Sequence, residues 1–165
     1  MQKRIALAFA VTLLVGCGSS DSGTPADFAG QYTGTSTNGA STCPGDWNMG
    51  QMAQGQFNLV QTGADVRFDA QGATGLVMFA IYGTATFTGQ VAGNHIDAAI
   101  VGSINNTQGA CVFTWRGALT GDLAGDKMEG ILTSTPNTNG HADCDTLKVT
   151  GCSRSTTFSY TRAAK

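Results

Sequence analysis

The residues of this 165-residue chain whose types are suited to chemistry are four cysteines, Cys43, Cys111, Cys144 and Cys152, and a loop that gathers His141, Asp143 and Asp145. Zinc would ask for cysteines and histidines at close, repeated spacing. No Cys-x-x-Cys pair exists, and neither His95 nor His141 stands at a ligand's distance in sequence from them. An even set of four in an exported domain reads instead as two disulfides, because the compartment is oxidising. His141, Asp143 and Asp145 have the chemistry for a weak metal or acid/base site. Their loop, Pro136 to Ser153, also collects Asp, Asn and Gly for turn reasons. The chain has no Gly-x-Ser-x-Gly elbow, phosphate loop, His-Glu-x-x-His or calcium loop. No catalytic residue, metal or cofactor is therefore assigned, and an enzyme is not expected. The best contact residues are Trp47, Met49 and Met52, adaptable apolar side chains amid Gly, Asn and Gln, together with His141.

Cys17 has different surroundings. Lys3 and Arg4 precede an apolar run from Ile5 to Val15, and Leu14-Val15-Gly16-Cys17 closes it with small residues. The run of eleven is too short to cross a bilayer, which needs about 20 residues. This pattern resembles the lipobox of bacterial lipoproteins. The resemblance implies a signal peptide over residues 1–16, acylation of the Cys17 thiol, and a mature chain that hangs from a membrane by lipid. Gly18 stands where an Asp retains many such lipoproteins at the inner membrane, so the resemblance places the anchor in the outer membrane of the cell envelope. Two or three acyl chains make such an attachment lasting, since each buried CH₂ contributes about 0.8 kcal/mol.

Residues 17–27 read as the lipidated cysteine and a linker rich in Ser, Gly and Asp, and residues 28–165 as one folded domain. Loss of residues 1–16 takes away Lys3 and Arg4, and the formal charge goes from −2 to −4. A mildly acidic chain without a basic patch is no nucleic-acid binder. Charged residues make up 12% of the chain, about half the usual share, which fits an exported β domain.

From Phe28 onward, short stretches alternate apolar and polar residues between glycine-containing breaks. Eight strands are expected, at 28–36, 55–62, 64–70, 77–91, 95–104, 110–122, 127–135 and 154–163. No helical stripe is visible. Leu76 to Tyr82 is apolar on both faces, so it is either a doubly covered strand or a flap over an open end. The segment Phe87 to Ile96 recurs 32 residues later as Leu119 to Met128, each copy placing Gly-Asn or Gly-Asp between two strand ends. Two hairpins of one design imply a meander.

Antiparallel strands with one apolar face form a sandwich or a closed barrel, and only closure removes the edges. Gly30-x-Tyr32 on the first strand and Arg162 on the last resemble the lipocalin and avidin group of barrels. There a Gly-x-Trp meets a basic residue from the final strand; Tyr32 is a departure. The resemblance implies a single eight-stranded up-and-down barrel, with a β-sandwich as the alternative. Its interior would hold an alternating set from Tyr32 through Phe57, Phe68, Phe87, Phe113, Trp115, Leu119, Met128 and Phe158 to Tyr160. In a barrel the tight turns at Gly63-Ala64, Gly93-Asn94 and Gly125-Asp126 share one end with both termini. The longer connections, and all four cysteines, share the other. Strands one and eight are then neighbours, as are six and seven, which favours Cys43 with Cys152 and Cys111 with Cys144. The crossed arrangement, Cys43 with Cys144 and Cys111 with Cys152, is also open on geometry.

Two functions fit such a chain. One is a tethered binding module that takes a small apolar ligand or a glycan at the open end, for which a cavity of roughly 300 Å³ or more is expected. The other is an envelope interaction protein whose rim loops dock another protein, as in small lipoprotein inhibitors, for which a filled barrel and an exposed apolar rim are expected.

Overall fold

The computed structural model describes residues 24–164. Residues 1–16, expected to be a signal peptide, Cys17 and the first part of the expected linker lie outside the described residues. The strands are β1 (Gly30–Ser41), β2 (Met52–Thr62), β3 (Asp65–Gln71), β4 (Thr86–Ala92), β5 (His95–Val101), β6 (Asn106–Gln108), β7 (Cys111–Ala124), β8 (Lys127–Thr138) and β9 (Arg154–Arg162), with helices α1 (Gly72–Tyr82) and α2 (Ala142–Thr146).

All pairings are antiparallel, and the order β5-β4-β3-β2-β1-β9-β8-β7 closes through β5 with β7. The result is a closed eight-stranded barrel, and the sandwich alternative is set aside. β6 is a ninth, three-residue strand that pairs only with the start of β7, in the stretch expected to be a plain loop. Three two-residue turns join Thr62 to Asp65, Ala92 to His95 and Ala124 to Lys127. Gly63, Gly93 and Gly125 each open their turn with φ near 60°, as the first central position of a type II′ hairpin requires.

One expectation needs correction. The strand drawn over 77–91 is in its first half the helix α1, so the Leu76–Tyr82 segment is a flap, and a helical one. It has no amphipathic stripe, because apolar residues surround its whole circumference. Its limits are set by two glycines in the left-handed region, Gly72 at φ 56° and Gly83 at φ 77°, the latter capping the helix through its N–H to the Phe79 carbonyl. Arg162 stands opposite Tyr32 in the β1–β9 register. Its Nε and Nη2 donate to Asp126 Oδ1 at 3.0 and 2.9 Å, Nη1 donates to the Asp27 carbonyl, and its stem lies against Gly30, where a Cβ would come within 2.8 Å of Arg162 Cδ.

The core runs down the barrel axis. Near the tight end Phe28 and Tyr32 are fully buried, the Tyr32 hydroxyl donating to the Phe28 carbonyl at 2.9 Å. Phe28 N–H donates to Gln61 Oε1 and Ala26 N–H to the Gly93 carbonyl, so the incoming chain crosses and seals this floor. Phe113 belongs to a second cluster outside the main core, with Cys111, Cys144 and Val149, and Trp115 bridges the two clusters. Phe28, Tyr82, Val91, Ala98 and Leu123 are core residues that alternation alone did not single out.

Candidate functional site

The loose end of the barrel carries the long connections and is built differently from the floor. There the disulfides join Cys43 to Cys152 and Cys111 to Cys144, with Cα atoms 4.8 and 4.9 Å apart. The first bridge ties the loop after β1 to the approach to β9, which are barrel neighbours. The second ties β7 to α2. Pro136 lies where β8 has run past its partner β9 and pairs with β7 alone, so its missing N–H costs the ladder nothing.

Helix α1 roofs this end. Thr74 Oγ1 donates to the Gln54 carbonyl of β2 at 3.1 Å, and at the other end Tyr82 reaches into the barrel. The Tyr82 hydroxyl lies 2.6 Å from Ser134 Oγ on β8, and its carbonyl accepts from Ser103 N–H at 2.7 Å. Gly117 makes the reach possible: a Cβ there would stand 3.2 Å from the Tyr82 oxygen and 2.7 Å from Ile100 Cγ2. Met78 and Tyr82 face inward at i, i+4 spacing.

Beneath the roof lies a cavity of about 390 Å³. Phe57, Phe68, Phe87, Leu119, Leu132 and Phe158 form its apolar wall, and Val77, Met78 and Ile81 of α1 close over them. Rings stack along the wall: Phe68 on Phe87 at 4.5 Å, and Phe57 edge-on to Tyr160 at 4.9 Å. The titratable groups on the wall are Tyr82, Tyr160 and Arg154. Burial holds both phenols above their ordinary value, so they are neutral hydrogen-bonding groups at neutral pH.

Arg154 is the one charged side chain on that wall among the described residues. Its guanidinium sits between two indoles, 5.2 Å from the Trp47 ring centroid and 4.9 Å from that of Trp115. Nη2 donates to the Pro44 carbonyl at 2.9 Å, while Nε is enclosed with no described acceptor. The β1 ladder slips between Asn38 and Ser41, and the Gly39 carbonyl in that bulge accepts from Trp47 Nε1 at 2.9 Å. This bond folds the first long loop over the rim.

The contact residues named from sequence are thus distributed over several places. Trp47 lines the cavity. Met49 and Met52 are 75% and 65% exposed at the same end, outside the cavity wall. His141 caps α2, its Nδ1 accepting from Asp143 N–H at 3.2 Å, and Asp143 in turn accepts from Ala110 N–H at 2.9 Å. Those bonds give the loop's His and Asp a folding role. No group of three potential metal ligands occurs among the described residues. Arg154 was legible only as the first residue of the last strand. The signal for it is a cation opening a Thr- and Ser-rich strand two residues after a disulfide cysteine. Compared with known proteins, the chain matches no family model, no curated protein and no solved structure.

Proposed function

We propose that this chain is a lipid-tethered binding module of the cell envelope, probed by its surroundings through one open end, which takes a small apolar ligand into the barrel beneath α1. The carrying observation is the aromatic-walled cavity of about 390 Å³, within the size range, about 300 to 1,000 Å³, of small-molecule sites. Such sites combine an apolar lining with a few placed polar groups. Here those groups are Arg154, Ser134 and Tyr82 at the rim. A wall of neutral phenols and one guanidinium holds a ligand but offers no general base, which favours binding over turnover. The tether rests on the lipobox at Cys17, and its outer-membrane placement on Gly18.

A second reading, docking of a protein partner on the rim, draws on another observation. Leu76 and Phe79 on the outer face of α1 are 74% and 59% exposed, and Met49 and Met52 rise at the same end.

Native mass spectrometry of the protein drawn from membranes in mild detergent separates these readings. The binding module should carry a small retained mass in addition to acyl mass at Cys17. A wild-type chain that carries acyl mass, holds nothing in the barrel and travels with a second polypeptide would favour the docking reading. Absence of acyl mass from the mature chain would remove the tether.

A further inference from the structure

Arg154 is poorly explained by the fold alone. It makes no ion pair among the described residues; Arg116 and Lys148 make none either, but those two are exposed, whereas Arg154 is partly buried on the cavity wall. One of its donors is used, on Pro44, and Nε is closed off without an acceptor. An enclosed donor left unpaired is costly to a fold, so the placement of Arg154 is not accounted for by its protein contacts. The two indoles fix the plane of the guanidinium, and the Trp47–Gly39 bond fixes the outer indole. Ser134 stands opposite Arg154 in the β8–β9 register, with the Tyr82 hydroxyl on its Oγ. Cation and hydroxyls therefore meet at the rim, and the aromatic wall begins directly below.

From this placement we infer that the ligand is a single-chain amphiphile with an anionic head: its apolar chain occupies the barrel and its head is held by Arg154, with Ser134 beside it. The guanidinium is a planar fork suited to two oxygens of one anionic group. Contact with the Trp47 and Trp115 rings keeps water from part of the guanidinium, which strengthens its interaction with an anion. Burial also pushes the guanidinium below its ordinary value, a penalty that an anion would relieve. A neutral apolar ligand would leave the same charge unpaired and enclosed. This inference rests on the ligand-binding reading above and narrows it to one class.

The test is calorimetric titration of the delipidated wild-type protein with three probes of one chain length: decanoate, decanol and decyltrimethylammonium. Decanoate should bind roughly tenfold or more tightly than decanol, the factor a charge-assisted hydrogen bond supplies, and decyltrimethylammonium more weakly than either. In Arg154→Gln the preference for decanoate over decanol should vanish. Arg154→Lys should keep part of the preference, since it keeps charge but not the fork. Equal binding of decanoate and decanol by the wild type would overturn the anionic head and leave the apolar cavity standing. Binding of none of the three would overturn both. The wild-type comparison decides the matter even where a variant folds poorly.

Discussion

The Tyr82 hydroxyl and Ser134 Oγ lie 2.6 Å apart, and through this contact a helix from one side of the barrel is fastened to a strand on the other. Tyr82 is buried, so its ring contributes packing and its hydroxyl contributes direction. Tyr82→Phe keeps the ring and removes the bond. The expected loss is about 1 kcal/mol of stability in urea unfolding, with Ser134 left without its partner. Amide hydrogen exchange in Gly72–Tyr82 should quicken by more than that global loss accounts for, while the β7–β8 ladder should not. Uniform quickening everywhere would mean that the bond stabilises the barrel generally and does not hold the roof.

The two disulfides should differ in weight. In the chain-entropy account, the bridge between Cys43 and Cys152 spans 109 residues and contributes about 5 kcal/mol, and that between Cys111 and Cys144 spans 33 and contributes about 4. Paired Cys→Ala replacements, compared by urea unfolding, should therefore show the larger loss for the first bridge. Reversal of that order would indicate that native packing of the Phe113 and Val149 cluster, and not chain closure, governs the second bridge.

His95 reports on the seam where β5 meets β7. Its Nδ1 lies 2.8 Å from Asp122 Oδ1 across the pairing that closes the barrel. The hydrogen bond to Asp122 holds the imidazolium above its ordinary range, helped by the charge of Asp97. A group raised on folding stabilises fully below its unfolded value, and the contribution fades as pH rises through the folded value. The effect on stability should be small, because both partners are largely exposed and screened. An NMR titration should place His95 above the ordinary histidine value, and Asp122→Asn should bring it down. No response of His95 to Asp122→Asn would remove the contact from the seam.

Much of the barrel was legible because its rules are local. Alternation at Phe57, Leu59, Val66 and Phe68 sets the inward face, and Gly63, Gly93 and Gly125 mark the turns. Closure then makes Cys43 and Cys152 neighbours, so topology favoured the observed pairing while leaving the crossed one open. Helix α1 was hidden for a physical reason. A roof that rests one face on an apolar cavity and leaves the other apolar shows no period, and Val, Phe, Ile and Tyr in Leu76–Tyr82 suit a strand equally well. The flanking pair Gly72 and Gly83, an interval of helix length, was the available cue. Arg154 was missed because its importance comes from Trp47 and Trp115, which lie far from it in sequence and meet it only after the first loop folds back over the Gly39 bulge.

The described chain enters by Ala26 beside the Gly93 turn and leaves by Arg162 and Ala163 beside Asp126, both at the sealed floor. Both ends of the described chain therefore lie at the base, and α1 sits at the opposite end like the lid of a cup held by its base. A protein coupled to a sensor chip through an end would keep its opening free toward the fluid. If the proposed lipid tether holds the chain at its amino-terminal end, Leu76 and Phe79 would face away from the bilayer. A ligand of the proposed kind would then be exchanged with what lies opposite, and not with the leaflet underneath.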